Sequence, residues 1–193
     1  MTTPKILAFA GSLREDSVNK RLAKIALRAA QDAGAETTFV DLRDYQMPLY
    51  CEDYETEHGI PDSVIGLKEL MKSHNGFLIA SPEYNGSLTG IMKNTIDWMS
   101  RPYADDPRMA CFDGKIAGLM AASPGGLGGI RGLSHLRTIL AGIGVFVLPN
   151  HVAVGQSGTN LVDDESIKSE PLQSSISNLS NEMVRVIRGL HDE

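Results

Sequence analysis

The chain has 193 residues, of which 42% are hydrophobic and 22% charged, and its formal net charge at pH 7 is −6. This length suits one well-buried core, so we predict a single domain over residues 1–193. A negative charge without a run of basic residues argues against nucleic acid or an anionic membrane surface as a partner.

The cysteines and the N-terminus exclude further classes. Cys51 and Cys111 lie far apart, with no cysteine or histidine at metal-ligand spacing, so we predict no disulfide framework and no metal site. We expect both thiols to be reduced and buried. Only five apolar residues separate Lys5 from Gly11, which is too short for a signal peptide, and no stretch is long enough to span a membrane. These features predict a cytoplasmic protein.

The first predicted elements are a strand, a polar loop and a helix. The continuous apolar run over residues 6–10 predicts a buried strand. The following helix has an apolar face at the 3.6-residue period, made by Leu22, Ile25, Ala26, Ala29, Ala30 and Ala33. Between strand and helix lie four hydrogen-bond donors, Ser12, Arg14, Ser17 and Asn19. Because a helix N-terminus presents free N–H groups and a positive dipole end, this stretch predicts a phosphate site.

The rest of the chain repeats this pattern. Further strands are predicted at residues 35–42, 76–81, 115–122 and 145–148, the last of them ended by Pro149. Further helices are predicted at residues 62–73, from residue 90 to Met99, at 133–143 and at 172–190. The acidic residues 52–57 predict a solvated loop, and residues 156–169 an irregular one. Recurring strand–helix units indicate an α/β protein, a three-layer α/β/α sandwich around a five-stranded parallel sheet.

Three polar loops follow predicted strands and therefore share the carboxyl edge of the sheet, where open parallel sheets bind ligands. They are the first loop (residues 11–19), the second loop (82–87) and the third loop (123–129). Glycines in the third loop would let a flat ligand approach the main chain. A nucleotide-binding P-loop is excluded because Gly-Lys-Ser/Thr is absent, and the dinucleotide fingerprint fails because Arg131 stands where its last glycine is needed. Neither cysteine lies at a phosphate loop, and no serine-nucleophile elbow surrounds Ser12.

Motifs in the three loops resemble those of the NAD(P)H-dependent FMN reductase family, which includes bacterial quinone, chromate and azo-dye reductases of flavodoxin-like fold. The motifs are Gly-Ser-Leu-Arg-x-x-Ser-x-Asn from residue 11, Pro-Glu-Tyr-Asn-Gly-Ser from residue 82, Gly-x-x-Lys-Asn-x-x-Asp-Trp from residue 90, and Ser-Pro-Gly-Gly from residue 123 with Gly129. The resemblance implies non-covalently bound FMN. Family members often have proline where this chain has Thr89, and we expect Thr89 to start the same helix as an N-cap.

The resemblance also implies roles for individual residues. Ser12, Arg14, Ser17 and Asn19 would hold the FMN phosphate. The isoalloxazine would be lined on one side by Pro82, Glu83, Tyr84, Asn85 and Gly86, and on the other by Ser123, Gly125 and Gly126. No residue is assigned a catalytic role, because the flavin carries the chemistry while Tyr84 and Asn85 flank it. Tyr84 has two open interpretations, a ring that stacks near the nicotinamide or a ring in a subunit contact.

The implied activity is ping-pong hydride transfer from NADPH or NADH through FMN to a small-molecule acceptor. Quinones, azo and nitro compounds, free flavin and metal oxyanions such as chromate are the acceptors implied. A homodimer or homotetramer is also implied, and the apolar side chains of the helix after the second loop, Met92, Ile96, Trp98 and Met99, predict a dimer face. Two alternatives stay open: a flavodoxin-type electron carrier, and a flavin-binding redox sensor without turnover.

Overall fold

The computed structural model describes residues 2–161, 163 and 166–191. Its main sheet has five parallel strands, β1 (Lys5–Ala10), β2 (Glu36–Val40), β3 (Gly76–Ala80), β6 (Ile116–Ala122) and β7 (Phe146–Val154). Strands β4 (Glu83–Tyr84) and β5 (Ser87–Leu88) form a separate antiparallel hairpin. The helices are α1 (Val18–Asp32), α2 (Glu52–His58), α3 (Asp62–Ser73), α4 (Gly90–Met99), α5 (Ile130–Gly142), α6 (Ser157–Asn160) and α7 (Glu170–His191), with a 3₁₀ turn at Leu42–Asp44.

The strand order β2-β1-β3-β6-β7 is that of flavodoxin-like folds, with the chain reversing direction across the sheet between β1 and β3. All four pairings within this sheet are parallel. Alternate residues of β1 face opposite layers: Ile6 packs in the core with α1 and α7, and Leu7 in the core with α3, α4 and α5. The predicted three-layer α/β/α sandwich around five parallel strands is thus confirmed.

The fifth strand of the sheet differs from its prediction, because β7 continues through Pro149 to Val154. It is an edge strand, so the N–H group that proline lacks is not required for pairing on the open side. The pairing register also shifts there: Ala117 pairs with Val147, whereas Leu119 pairs with His151. The extra residues form a bulge that accommodates the proline. The strand therefore reaches the carboxyl edge of the sheet instead of ending before it.

The acidic stretch after β2 is helix α2 and not the predicted loop. Three carboxylates, Glu52, Asp53 and Glu55, lie in its first turn, where negative charge interacts favourably with the helix dipole. Glu55 accepts hydrogen bonds from Arg101 Nε at 2.9 Å and from the Tyr50 hydroxyl at 3.1 Å. This helix is thereby attached to the loop after α4. The segment predicted as irregular likewise contains the short helix α6.

The apolar side chains of α4 are buried inside the chain, so the predicted dimer face on this helix is wrong. Met92 and Trp98 are completely buried, and Ile96 and Met99 nearly so. The Trp98 indole N–H donates to the Pro48 carbonyl at 2.7 Å. A second correction concerns the thiols, because Cys111 is buried but Cys51 is exposed. Within the described residues, no helix is both long and apolar enough to cross a membrane.

Candidate functional site

The three loops line one cavity of about 280 Å³ at the carboxyl edge of the sheet. Eight of the predicted site residues line it: Ser12, Arg14, Ser17, Asn19, Pro82, Glu83, Tyr84 and Ser123. The remaining four, Asn85, Gly86, Gly125 and Gly126, lie in the same second and third loops beside it. The sheet topology thus brings together side chains that are more than 100 residues apart in the sequence.

The cavity also has a wall that the sequence did not predict, made by Ser157 and Gly158 of α6. The backbone holds this wall in place, since Ser157 N donates to Ser123 O at 3.1 Å and Gln156 N to Gly125 O at 3.2 Å. The two segments pack so closely that a Cβ at Gly155 would lie 2.6 Å from Gly126 O. This wall was not predicted because the predicted fifth strand ends at Pro149. The observed β7 is longer and carries residues 155–158 to the same edge.

The N-terminus of α1 opens into this cavity through Ser17, Val18 and Asn19. Ser17 is the N-cap residue by position, yet its hydroxyl makes no capping bond within the described part of the chain. The first turn carries no acidic residue, and the exposed Arg14 lies just before it. Free N–H groups, a positive dipole end and a nearby guanidinium suit a bound phosphate. The residues present at this helix start therefore fit the phosphate of FMN.

Asn19 joins the first loop to the end of β6. Its Nδ2 donates to Ala122 O at 2.9 Å, and its Oδ1 accepts from Ala122 N at 2.9 Å. The side chain is buried and occupies the place beside β6 where a neighbouring strand would pair, because β3 has already ended. A primary amide has two N–H donors, so one of the two on Asn19 is used here and one is left for a ligand.

Thr89 joins the first loop to α4. Its hydroxyl accepts from Met92 N at 3.2 Å, which confirms the expected N-cap, and donates to Gly11 O at 2.7 Å. The side chain is 1% exposed, so both bonds are protected from water. One hydroxyl group therefore starts the helix after the second loop and also fixes the start of the first loop.

The second loop is a tight hairpin in which Glu83 pairs with Leu88 and Tyr84 with Ser87. Asn85 and Gly86 form its turn with φ values of +52° and +79°, as a type I′ turn requires. Tyr84 lies on the hairpin with 53% of its surface exposed, at the mouth of the cavity. The hairpin thus presents a turn and an aromatic ring at the cavity from a short, rigid base.

Glu83 joins this hairpin to the start of α5. Its carboxylate accepts from Arg131 N at 3.0 Å, from Gly132 N at 3.1 Å and from Arg131 Nε at 2.8 Å. Burial acts to raise the pKa of the Glu83 carboxyl, but the hydrogen bonds and charge supplied by Arg131 and Gly132 outweigh it, and the pKa lies below its ordinary value. Glu83 is therefore a carboxylate at neutral pH.

The third loop contains glycines of two kinds. A Cβ at Gly126 would have no described heavy atom within 4 Å, so this position leaves room for a ligand. Gly129 instead has φ of +89°, and a Cβ there would lie 2.8 Å from the Ala121 Cβ. The packing of the chain itself accounts for the second glycine.

A doubly wound sheet with an uncapped helix N-terminus and a cavity of three loops at its carboxyl edge defines a flavodoxin-like cofactor-binding protein. Residues 4–159 match the family model described as NADPH-dependent FMN reductase. The chain belongs to that family, and it is an oxidoreductase that uses FMN with NAD(P)H as co-substrate.

Individual proteins show the same relationship. A 2-hydroxy-1,4-benzoquinone reductase of Burkholderia sp. is 35% identical over 144 residues, which cover 75% of this chain and 74% of the relative. A quinone reductase of Escherichia coli is 33% identical over 162 residues, covering 84% and 82%. The solved structure of FerB, a flavoenzyme NAD(P)H:(acceptor) oxidoreductase of Paracoccus denitrificans, is 27% identical with a TM-score of 0.79, covering 97% of this chain and 98% of that one.

Proposed function

We propose that this enzyme reduces quinones with electrons from NAD(P)H, and that the cavity formed by the three loops is its FMN site. The observation that carries the proposal is the start of α1, which opens into the cavity with no acidic residue in its first turn and no capping side chain among the described residues. Ser12, Arg14, Ser17 and one N–H of Asn19 would hold the phosphate there. The flavin ring would be lined by residues of the second loop, Pro82, Glu83, Tyr84, Asn85 and Gly86, and by residues of the third loop, Ser123, Gly125 and Gly126.

The residues of the chain bind and orient in this mechanism, and none of them exchanges a proton with the substrate. FMN, when bound, supplies the hydride chemistry that links the nicotinamide to the acceptor. Backbone N–H groups of the second and third loops would stabilise negative charge at the edge of the cavity. The exposed face of Tyr84 offers a stacking surface for a flat ring.

The quinone acceptor is proposed from the names of two relatives, both of which are quinone reductases. A flat neutral ring can approach the open backbone at Gly126, where no side chain intervenes. Azo and nitro compounds, free flavin and chromate are further acceptors in the proposal. They share with quinones the capacity to take electrons at an exposed face of a bound cofactor.

Anaerobic stopped-flow mixing tests the activity. The holoprotein is mixed with NADPH or NADH, and the absorbance of the bound flavin is followed; a quinone is then added in a second mixing step. We expect rapid bleaching by at least one nicotinamide and rapid recovery with the quinone. If neither NADPH nor NADH bleaches the bound flavin, the protein is not a reductase. Slow flavin reduction that a redox protein accelerates would favour an electron carrier. Bleaching without recovery by any acceptor would favour a sensor.

We further propose that the enzyme is a homo-oligomer in the cytoplasm, where NAD(P)H is available. With α4 excluded as a dimer face, the support comes from the exposed apolar residues Leu13, Leu49 and Tyr84. Leu13 also lines a groove of about 800 Å³ whose walls include Tyr45, Met47, Pro48 and Ile91. Sedimentation should show a dimer or tetramer that Leu49→Glu weakens; a fully active monomer would contradict this proposal.

A further inference from the structure

Helix α5 begins without a cap of its own. Its N-cap residue is Gly129, which has no side chain and lies in the left-handed region with φ of +89°. The first turn contains no acidic residue. Because the first N–H groups of a helix lack intrahelical acceptors, a helix that starts in this way needs an acceptor from elsewhere.

Glu83 of the second loop supplies that acceptor. Its carboxylate takes the backbone N–H groups of Arg131 and Gly132, at 3.0 and 3.1 Å, and its side chain is only 8% exposed. The Arg131 guanidinium, which is 62% exposed, covers the same carboxylate from the solvent side. Charge-assisted hydrogen bonds at a positive helix end are stronger than those of a neutral cap.

The packing around this carboxylate leaves the hairpin little freedom to move away from α5. A Cβ at Gly132 would lie 3.1 Å from Ser87 O, so the helix lies directly on the hairpin backbone. On the next turn, His135 Nδ1 and Ser87 Oγ are 2.9 Å apart. Hairpin and helix start therefore move as one unit, and the third loop is attached to that unit through Gly129.

Building on the proposed function, we propose that Glu83 is a positioning residue. By capping α5 it fixes the distance between the turn at Asn85–Gly86 and the third loop, the two walls between which the flavin ring would lie. Arg131 holds the carboxylate in place and balances its charge, so the pair adds little net charge beside the cavity. Besides lining the cavity, Glu83 thus acts on FMN binding through α5 and the loops, and it takes no part in proton or hydride transfer.

Three variants separate the cap from the ion pair. Glu83→Ala removes both, Glu83→Gln keeps one neutral acceptor for the helix, and Arg131→Ala keeps the full backbone cap. FMN affinity is measured by fluorescence quenching on titration of apoprotein. The loss of affinity should be largest for Glu83→Ala, smaller for Glu83→Gln and smallest for Arg131→Ala. We expect a Kd about tenfold higher for Glu83→Ala, because loss of a helix cap is of the order of the energy that changes a Kd tenfold.

The reduction potential of the bound flavin gives a second readout, taken at saturating FMN. Glu83→Gln leaves the Arg131 guanidinium uncompensated, which favours the more negative reduced cofactor, so the potential should become more positive. Arg131→Ala leaves the carboxylate uncompensated, and the potential should become more negative. A loss of rigidity alone would not move the potential in opposite directions in the two variants.

Glu55→Gln is the matched control, because Glu55 accepts from Arg101 Nε at 2.9 Å in a half-buried ion pair that does not line the cavity. It should leave the FMN Kd and the potential unchanged.

Each outcome decides one claim. Wild-type affinity in Glu83→Ala overturns the positioning role alone, because FMN still binds. If Glu83→Ala does not fold, Glu83→Gln takes its place, with an expected rise in Kd of about threefold, roughly half of the cap's effect in free energy. A wild-type chain that binds no FMN overturns the proposed site and, with it, this inference.

Discussion

Two helices start at the same edge of the sheet, and their N-termini are used in opposite ways. Among the described residues, no side chain caps the start of α1 and no acidic residue lies in its first turn, and this start opens into the cavity. The start of α5 is occupied by the carboxylate of Glu83. Both ends carry the same partial positive charge, but only one is left for an anionic ligand. The repeat of strand, loop and helix therefore does not by itself show where a phosphate binds; the occupancy of each helix end does.

The first loop is attached to the fold by different groups from those that join the second and third loops. Buried neutral groups, Asn19 and Thr89, hold the first loop. The second and third loops are held to each other by a charged pair whose Arg131 is mostly exposed. Neutral buried hydrogen bonds do not respond to pH or salt, whereas charged surface pairs do. We therefore expect the attachment of the first loop to the fold to be constant, and the attachment between the second and third loops to depend on pH and salt.

The largest effect is expected from Asn19→Leu. The variant loses both bonds to Ala122 and leaves the backbone N–H and C=O of that residue without their partner, at a cost of about 3 kcal/mol in the free energy of unfolding. FMN affinity should fall as well, because the first loop loses its attachment. Urea unfolding and FMN titration measure the two effects.

Asn94→Leu is the matched control for this prediction. Asn94 is also buried and also bridges backbone groups, accepting from Tyr50 N at 2.8 Å and donating to Pro48 O at 3.0 Å, but it does not line the cavity. It should lose similar stability and keep its FMN affinity under conditions where it is folded. Equal losses of affinity in both variants would show that Asn19 acts through stability alone.

Arg14→Ala should weaken FMN binding about tenfold through loss of a charge-assisted contact to the phosphate, and leave stability unchanged because Arg14 is exposed. Riboflavin, which lacks the phosphate, provides the control ligand. Its affinity should be the same in wild type and Arg14→Ala, as judged by fluorescence titration. If affinity for riboflavin falls as much as that for FMN, Arg14 does not contact the phosphate; if only the preference for NADPH changes, Arg14 contacts the nicotinamide cofactor.

Thr89→Val should lower the free energy of unfolding by about 1 kcal/mol, since it removes the cap of α4 and the bond to Gly11. Thr95→Val is the control, because Thr95 is equally buried on the same helix but its hydroxyl donates only to Ile91 O within α4. Thermal unfolding should show the smaller change for Thr95→Val. Equal shifts would mean that the two bonds of Thr89 together add no more stability than the single bond of Thr95 within α4.

Local patterns predicted the first loop and the cap of α4 because neighbouring residues determine both. Apolar runs also predicted β1, β3 and β6 within a residue or two of their observed bounds. The continuation of β7 was missed, since proline is compatible with a strand only at an edge or a bulge, and neither is visible before the sheet is assembled. That error also hid the wall formed by Ser157 and Gly158.

Long-range contacts account for the other differences. The resemblance to the family implies that Glu83 lies beside the ligand, but its capping of α5 depends on the hairpin lying on a helix that begins about 40 residues later. The apolar face of α4 looks the same in sequence whether it packs inside the chain or against a second subunit. The burial of Trp98 against Pro48 decided between these two.

The smallest effect, and the most direct test of the contrast between the two helix starts, is a dependence on pH. The pKa of Glu83 lies below its ordinary value of 4.5 in the folded protein, so its bonds contribute fully above that pH and are lost as the pH falls through the lowered pKa. The difference in unfolding free energy between wild type and Glu83→Gln should therefore be constant from pH 8 to about 5 and narrow below about pH 4.5. Urea unfolding at each pH measures it, and the corresponding difference for Thr89→Val should stay constant throughout, because a hydroxyl does not titrate there. A difference for Glu83→Gln that persists undiminished at pH 3 would show that the negative charge is not what caps α5.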